Sequence, residues 1–187
     1  MEDSTSKPLS RTFGIPAARK GSIKNNESVI LLLKKRIKVL EERFHGLVYY
    51  ATQTEVTISA AGTYVDLPFT GTLGEAEGVA SVSGKLGLKN ISQKPYLVRV
   101  QATYDGHSLG PNEEMALRLV RNGTKIPGAE CHATGTANGV IAKLHSYAHV
   151  VMEPGDEITM QAANFTNSGD IGFERGKMDI HRLAGVG

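Results

Sequence analysis

The residues able to do chemistry are few, and their spacing decides what they can do. His145 and His149 form H-x-x-x-H, which on a helix would set two imidazoles on one face for zinc. The surrounding run, "VIAKLHSYAHVVM" (140–152), alternates like a strand. There, positions i and i+4 share a face but stand about 13 Å apart. No metal is expected at this pair within one chain. Cys131 and His132 adjoin in what reads as a loop. A nucleophile needs a positioned, oriented base, and adjacency in sequence does not supply one. Glu153, Asp156 and Glu157 crowd one turn and carry calcium-type oxygens, but a solvated hairpin corner accounts for them. "GVASVSGKL" (78–86) misses the phosphate-loop spacing by one residue, and Leu86 stands where a hydroxyl should hold magnesium. The sequons at Asn26, Asn90, Asn122 and Asn164 are read as coincidental. No acid–base pair, metal set or cofactor loop survives, so a non-enzymatic protein with no cofactor is expected.

The elements behind these residues are mostly strands. Over 47–187, candidates recur between turn signals: 54–59, 63–69, 79–84, 85–90, 96–105, 114–123, 140–152, 152–164 and 171–183. "YLVRVQATYD" puts Tyr96, Val98, Val100, Ala102 and Tyr104 on one face, with Arg99, Gln101 and Thr103 on the other. "EMALRLVRNG" sets Met115, Leu117 and Leu119 against Arg118 and ends on an Asn-Gly hairpin signal. Strands at this spacing predict an all-β jelly-roll sandwich.

The front of the chain differs. Residues 1–22 are broken by Pro8, Gly14, Pro16 and Gly21 and read as an extended basic arm. They show no apolar leader region, so no secretory signal is expected. Residues 23–46 carry a heptad seam with Ile23, Ile30, Ile37 and Phe44 at a and Asn26, Leu33, Leu40 and Leu47 at d. Ser22 is the expected N-cap, and Gly46 the expected residue past the end. An isolated helix of this length is marginal in water, so the seam should meet other helices. Leu32 and Val39 lie off the seam and suggest a second docking surface. Packing of this helix on its own β domain is the simpler alternative.

Charge separates the same zones. Residues 1–46 hold 10 Lys/Arg against 5 Asp/Glu, whereas 47–187 hold 11 against 14. A basic front suits an acidic partner surface, whether protein or nucleic acid. The cluster Lys34, Lys35, Arg36, Lys38 has no interleaved aromatics, which argues against single-stranded nucleic acid. Arg11, Arg19 and Lys20 are the candidate anchoring cations. One cysteine excludes an intrachain disulfide framework. No apolar run is long enough to span a bilayer as a helix.

Several segments in order resemble the C1q/TNF-like jelly roll in the form found on viral particles and fibres: "PYLVRVQATYDG", "LRLVRNGTKI", "HSYAHVVMEPGDEITMQAAN" and "KMDIHRL". The resemblance covers residues ~51–185 and implies a two-sheet sandwich that assembles as a trimer on a stalk. There is no Gly-X-Y repeat, so a helical stem takes the place of a collagen one. The resulting expectation is a virion structural protein, a capsid-surface, spike or fibre component assembled inside the host cell. Residues 1–46 would anchor it to other capsid or tail proteins. The alternatives are a receptor- or glycan-binding adhesin, using loops 105–112 and 132–139, and a cellular C1q-like ligand.

Overall fold

The computed structural model describes residues 20–41, 43–108, 110–135 and 141–183. The chain divides into two units, residues 1–42 and 43–187.

Among the described residues, the first unit contains one helix, α1 (Lys20–Glu41). It lies three residues earlier at its start, and five earlier at its end, than the 23–46 expected from the heptad. Ser22 therefore sits inside the first turn rather than capping it. Val29, Ile30, Leu31, Leu32 and Leu33 are all about half exposed, between 49% and 59%. Five consecutive residues at about 100° each cover the whole circumference of a helix, so the apolar surface is a belt, wider than a seam.

Among the described residues, the second unit is a twelve-stranded antiparallel jelly-roll sandwich: β1 (His45–Tyr50), β2 (Thr54–Val56), β3 (Val65–Asp66), β4 (Thr72–Glu77), β5 (Val79–Ser81), β6 (Gly87–Asn90), β7 (Tyr96–Ser108), β8 (Glu114–Arg121), β9 (Thr124–Thr134), β10 (Ile141–Met152), β11 (Glu157–Asn164) and β12 (Ile171–Arg182). The first sheet runs β10-β7-β12-β1-β4, with β2 also on β12; the second runs β5-β6-β11-β8-β9, with β3 also on β11. First strand pairs with last, β6 with β11, and β7 with β10. This nested order is the roll.

The alternation read from the sequence sets the core. Val98, Val100, Ala102 and Tyr104 of β7 are fully buried and face Met115, Leu117 and Leu119 of β8 across the sandwich. Four aromatic residues gather inside: Phe69 stacks on Tyr50 at 4.2 Å and lies 4.5 Å from Phe173, which also meets Tyr104. The Tyr104 hydroxyl donates to the Gly172 carbonyl (3.1 Å), so its burial leaves no polar atom unpaired. Asn122 and Gly123 take positive φ at the β8–β9 turn, as a primed Asn-Gly hairpin requires.

Two heptad assignments are corrected here. Phe44 is 2% exposed and stacks on Tyr96 at 4.4 Å in the sandwich core. Leu47 lies in β1, paired with Asp179 of β12. The helical period fails because the chain turns extended before Phe44, and Phe44 finds an apolar pocket beside Gly78. Gly46 ends no helix; it is a β1 residue whose missing Cβ makes room for Val79. Among the described residues, the core cluster begins at Phe44 and is made of second-unit residues.

Candidate functional site: the outer face of the first sheet

The two outer faces of the sandwich differ in kind. On the second sheet, the chain satisfies its own surface. Lys85 pairs with Asp66 (2.7 Å) and Lys89 with Glu157 (3.0 Å). Arg118 lies 3.8 Å over the Tyr64 ring and donates to Gln161, which in turn donates to Asp66. His132 is held between Glu114 (2.7 Å) and Glu130 (2.9 Å), and Lys125 also bonds Glu130. These contacts shift the groups involved. Hydrogen bonds from Lys125 and then His132 hold the Glu130 carboxyl down at about 2. Glu130, then Glu114, raises the His132 imidazole above its ordinary value. Burial, then the Glu130 charge, pushes the Tyr64 phenol up.

On the first sheet, ion pairs gather at one end, Arg175 with Asp105 (3.0 Å) and His107 with Glu174 (3.2 Å), and the rest of the outer face is left open. Outward side chains fall in rows fixed by the register. Tyr147 stands opposite Gln101, which stands opposite Asp179 and then Leu47. His145 stands opposite Thr103, then Lys177, then Tyr49. His149 stands opposite Arg99, then His181, then His45. Tyr147 is 71% exposed, Tyr49 44% and Val151 43%. A shallow depression of about 310 Å³ opens here, lined by Arg99, Gln101, His145, Ser146, Tyr147 and His149. Among the described residues, Arg99, Lys143 and Lys177 have no ion-pair partner. Exposed aromatic rings amid polar neighbours are enriched where surfaces meet a partner.

The residues singled out for chemistry fall as follows. His145 and His149 share the outer face of β10, with Tyr147 between them. Cys131 and His132 lie in β9, not in a loop. Successive strand residues point to opposite faces, so the imidazole turns to Glu114 and Glu130 while the thiol turns toward the Leu117 carbonyl. Burial raises the thiol further from its reactive thiolate form. Asp156 braces its corner: it accepts from Asn122 (2.6 Å) and from the Glu153 backbone (2.9 Å). "GVASVSGKL" spans β5 and the turn into β6, where the Gly84 N–H donates to Thr70. Asn90 and Asn164 are fully buried and hydrogen-bonded through their side chains. Of the proposed loops, residues 105–108 extend β7 and 132–134 extend β9.

For the docking residues, Asn26, Ile30, Leu32 and Leu33 are exposed on α1. Lys20, Ile23, Ile37, Val39 and Leu40 belong to α1, but their side chains lie outside the described residues. Arg11 and Arg19 lie outside them altogether. Sequence reasoning missed Tyr147, Val151, Tyr49 and Leu97 as surface residues. The available signal was apolar side chains recurring on the polar-reading faces of β1, β7 and β10.

Fold and surface together define a class, a jelly-roll sandwich with one sheet face whose central rows are unpaired, preceded by a helix. No protein-family model and no curated protein matches the chain. Solved structures similar to it include the Eiger TNF of S. frugiperda, with TM-score 0.49 and 14% identity, covering 78% of this chain and 95% of that one. The PRD1 vertex protein P5 is similar with TM-score 0.47 and 10% identity, covering 75% and 96%. The globular domain of the zebrafish complement 1qA protein gives 0.44 and 11%, covering 75% and 97%. Among the described residues, no helix is long and apolar enough to cross a membrane.

Proposed function

We propose that this chain is a non-enzymatic assembly protein whose jelly-roll heads associate as a homotrimer through the outer face of the first sheet. The observation that carries the reading is the contrast between the two outer faces. One binds its own charges in pairs; the other presents Tyr147, Tyr49, Val151 and unpaired Arg99 to its surroundings. The helix belt of Val29 to Leu33 acts as stem and docking element, because an apolar surface on all sides of a helix calls for cover on all sides. The basic residues that follow, Lys34, Lys35 and Arg36, favour an acidic rim on the partner. The order of parts, basic arm, helix, β head, suits a virion surface component. In that role residues 1–46 hold the particle and the heads form the exposed layer.

The test is solution mass by light scattering, for the full chain and for residues 43–187, each as native sequence and as Tyr147→Arg. The reading expects trimers of both native forms and monomeric heads for the variant, with unchanged β circular dichroism. Monomeric heads from the native sequence refute assembly through this face. Absence of the chain from purified particles of its source refutes the virion assignment.

A further inference from the structure

Five of the six histidines in the chain lie on the strands of one sheet: His45 on β1, His107 on β7, His145 and His149 on β10, and His181 on β12. Three of them line up. In the register, His149 of β10 faces Arg99 of β7, Arg99 faces His181 of β12, and His181 faces His45 of β1. All four side chains point outward, on the face described above. Adjacent strands lie about 4.8 Å apart, so the row places one permanent cation between two imidazoles, with a third beyond them.

The surroundings of the row are not balanced. His45 has carboxylates nearby, with Glu75 at 3.7 Å and Glu77 opposite in register. His181 has Asp179 at 3.6 Å. Arg99 and His149 pair with no carboxylate among the described residues. Around them, β10 contributes His145 and Tyr147, and β12 contributes Lys177. From the second sheet, Arg121 reaches the Val151 carbonyl (2.7 Å) near the end of β10, with its charge already met by Asp156 at 3.9 Å. The His149–Arg99–His181 segment thus faces mostly positive or neutral neighbours.

We infer that this row makes packing between heads acid-sensitive, so that protonation of His149 and His181 beside Arg99 drives the copies apart. The inference rests on the reading that this face packs against other copies of the chain. Histidine is the side chain whose ordinary charge change falls between pH 5 and 8. Each proton added places a second charge next to a guanidinium that cannot lose its own. When a second copy covers the row and excludes water, like charges at this spacing repel far more strongly than in solvent. Separation returns them to water, so acid favours the separated heads.

The experiment is sedimentation equilibrium of residues 43–187, whose core is complete without the helix, at about pH 8 and about pH 5.5. The full chain is run beside it, and circular dichroism is recorded at both values. The expected result is a trimer at the higher pH and association weaker by about tenfold or more at the lower, with the β spectrum unchanged. The double variant His149→Gln, His181→Gln should hold its association constant at both values. A native head equally trimeric at both values overturns the inference and leaves the trimer reading standing. A head monomeric at the higher value overturns both. Tighter association in acid also overturns the inference, because it means that the second copy offers carboxylates to the row. Acid dissociation that persists in the double variant, or that comes with loss of the β spectrum, overturns it as well.

Discussion

Replacing Phe44 with alanine tests where the stem ends and the head begins. The phenyl ring is 2% exposed, stacks on Tyr96 at 4.4 Å, and has its Cδ2 2.7 Å from where a Cβ on Gly78 would stand. Its carbonyl also accepts from the Arg182 backbone (3.0 Å), tying the entry of β1 to the end of β12. Burial of a phenylalanine removes roughly 150 Å² or more of apolar surface from water, worth about 4 kcal/mol. Truncations of buried phenylalanine cost about 3–5 kcal/mol, and the lost stack with Tyr96 accounts for roughly 0.5–1.5 kcal/mol of aromatic-pair energy. For a domain of this size, such a loss lowers the melting temperature by roughly 6–20 °C. The assay is urea and thermal unfolding of residues 43–187, native against Phe44→Ala, with Ile30→Ala and Leu33→Ala in the full chain as controls. Those two side chains are about half exposed on α1, and the β transition should not move with them. A Phe44→Ala head that loses less than about 1 kcal/mol, while the full chain loses oligomer mass, refutes the core placement and returns Phe44 to the heptad.

Two further predictions concern polar groups of the head. Asn164 is fully buried and donates to Glu113 (3.1 Å), Asn167 (3.0 Å) and the Gly169 carbonyl (3.2 Å), while its carbonyl accepts from the Thr166 and Asn167 backbones. Asn164→Ala leaves the buried Glu113 and the 166–169 turn short of partners and should cost about 2–4 kcal/mol by urea denaturation; a cost under about 0.5 kcal/mol would mean that water replaces the amide. The Glu130–His132 pair should stabilise the head within a defined pH window. Glu130 sits at about 2 against an ordinary 4.5, so its contribution is present above 4.5 and lost as pH falls toward 2. His132 is raised above 6.5, so its contribution is complete below 6.5 and lost as pH rises through the folded-state value. Glu130→Gln should therefore lower the NMR titration midpoint of His132 and destabilise most between pH 4.5 and 6.5, where both charges are present; an unmoved midpoint contradicts the coupling.

The inner faces of the sandwich were legible in the sequence because strict alternation has only one packing consequence. Tyr96 to Tyr104 alternates, and Val98, Val100, Ala102 and Tyr104 are fully buried. The Asn-Gly and Pro-Gly turns were legible for a related reason, since positive φ at Asn122, Gly123 and Gly155 selects those residues. What failed was local. "TLGEAE" (72–77) has too little β-branched or alternating character to read as a strand, yet it is β4, recruited by pairing with β1. "TKIPGAECHAT" (124–134) reads as a short return and a loop because of Pro127 and Gly128, but β9 is an edge strand and tolerates both. The helix end was misplaced because Phe44 and Leu47 fall on the heptad by position while belonging by packing to the sandwich.

The outer faces were hidden for a different reason. Along β7 alone, Leu97, Arg99, Gln101 and Thr103 read like any solvated row, and along β8 Arg118 reads the same way. What separates them is long-range register. Arg118 meets Gln161, 43 positions on, and Tyr64 above it, so that surface closes on itself. Gln101 meets Tyr147, Leu97 meets Val151, and Arg99 meets His149 and His181, none of which completes an ion pair with it. Equal local polarity thus gives one face whose charges are paired across strands and one whose middle rows, around Arg99, Gln101 and Tyr147, are not. A surface charge already paired across strands gains little from a partner and would have to be desolvated to meet one. An exposed tyrosine and valine beside unpaired cations carry no such internal pairing to give up. On the proposed reading, that asymmetry favours association of heads through the first sheet. The same register that opens that face also concentrates the histidines on it.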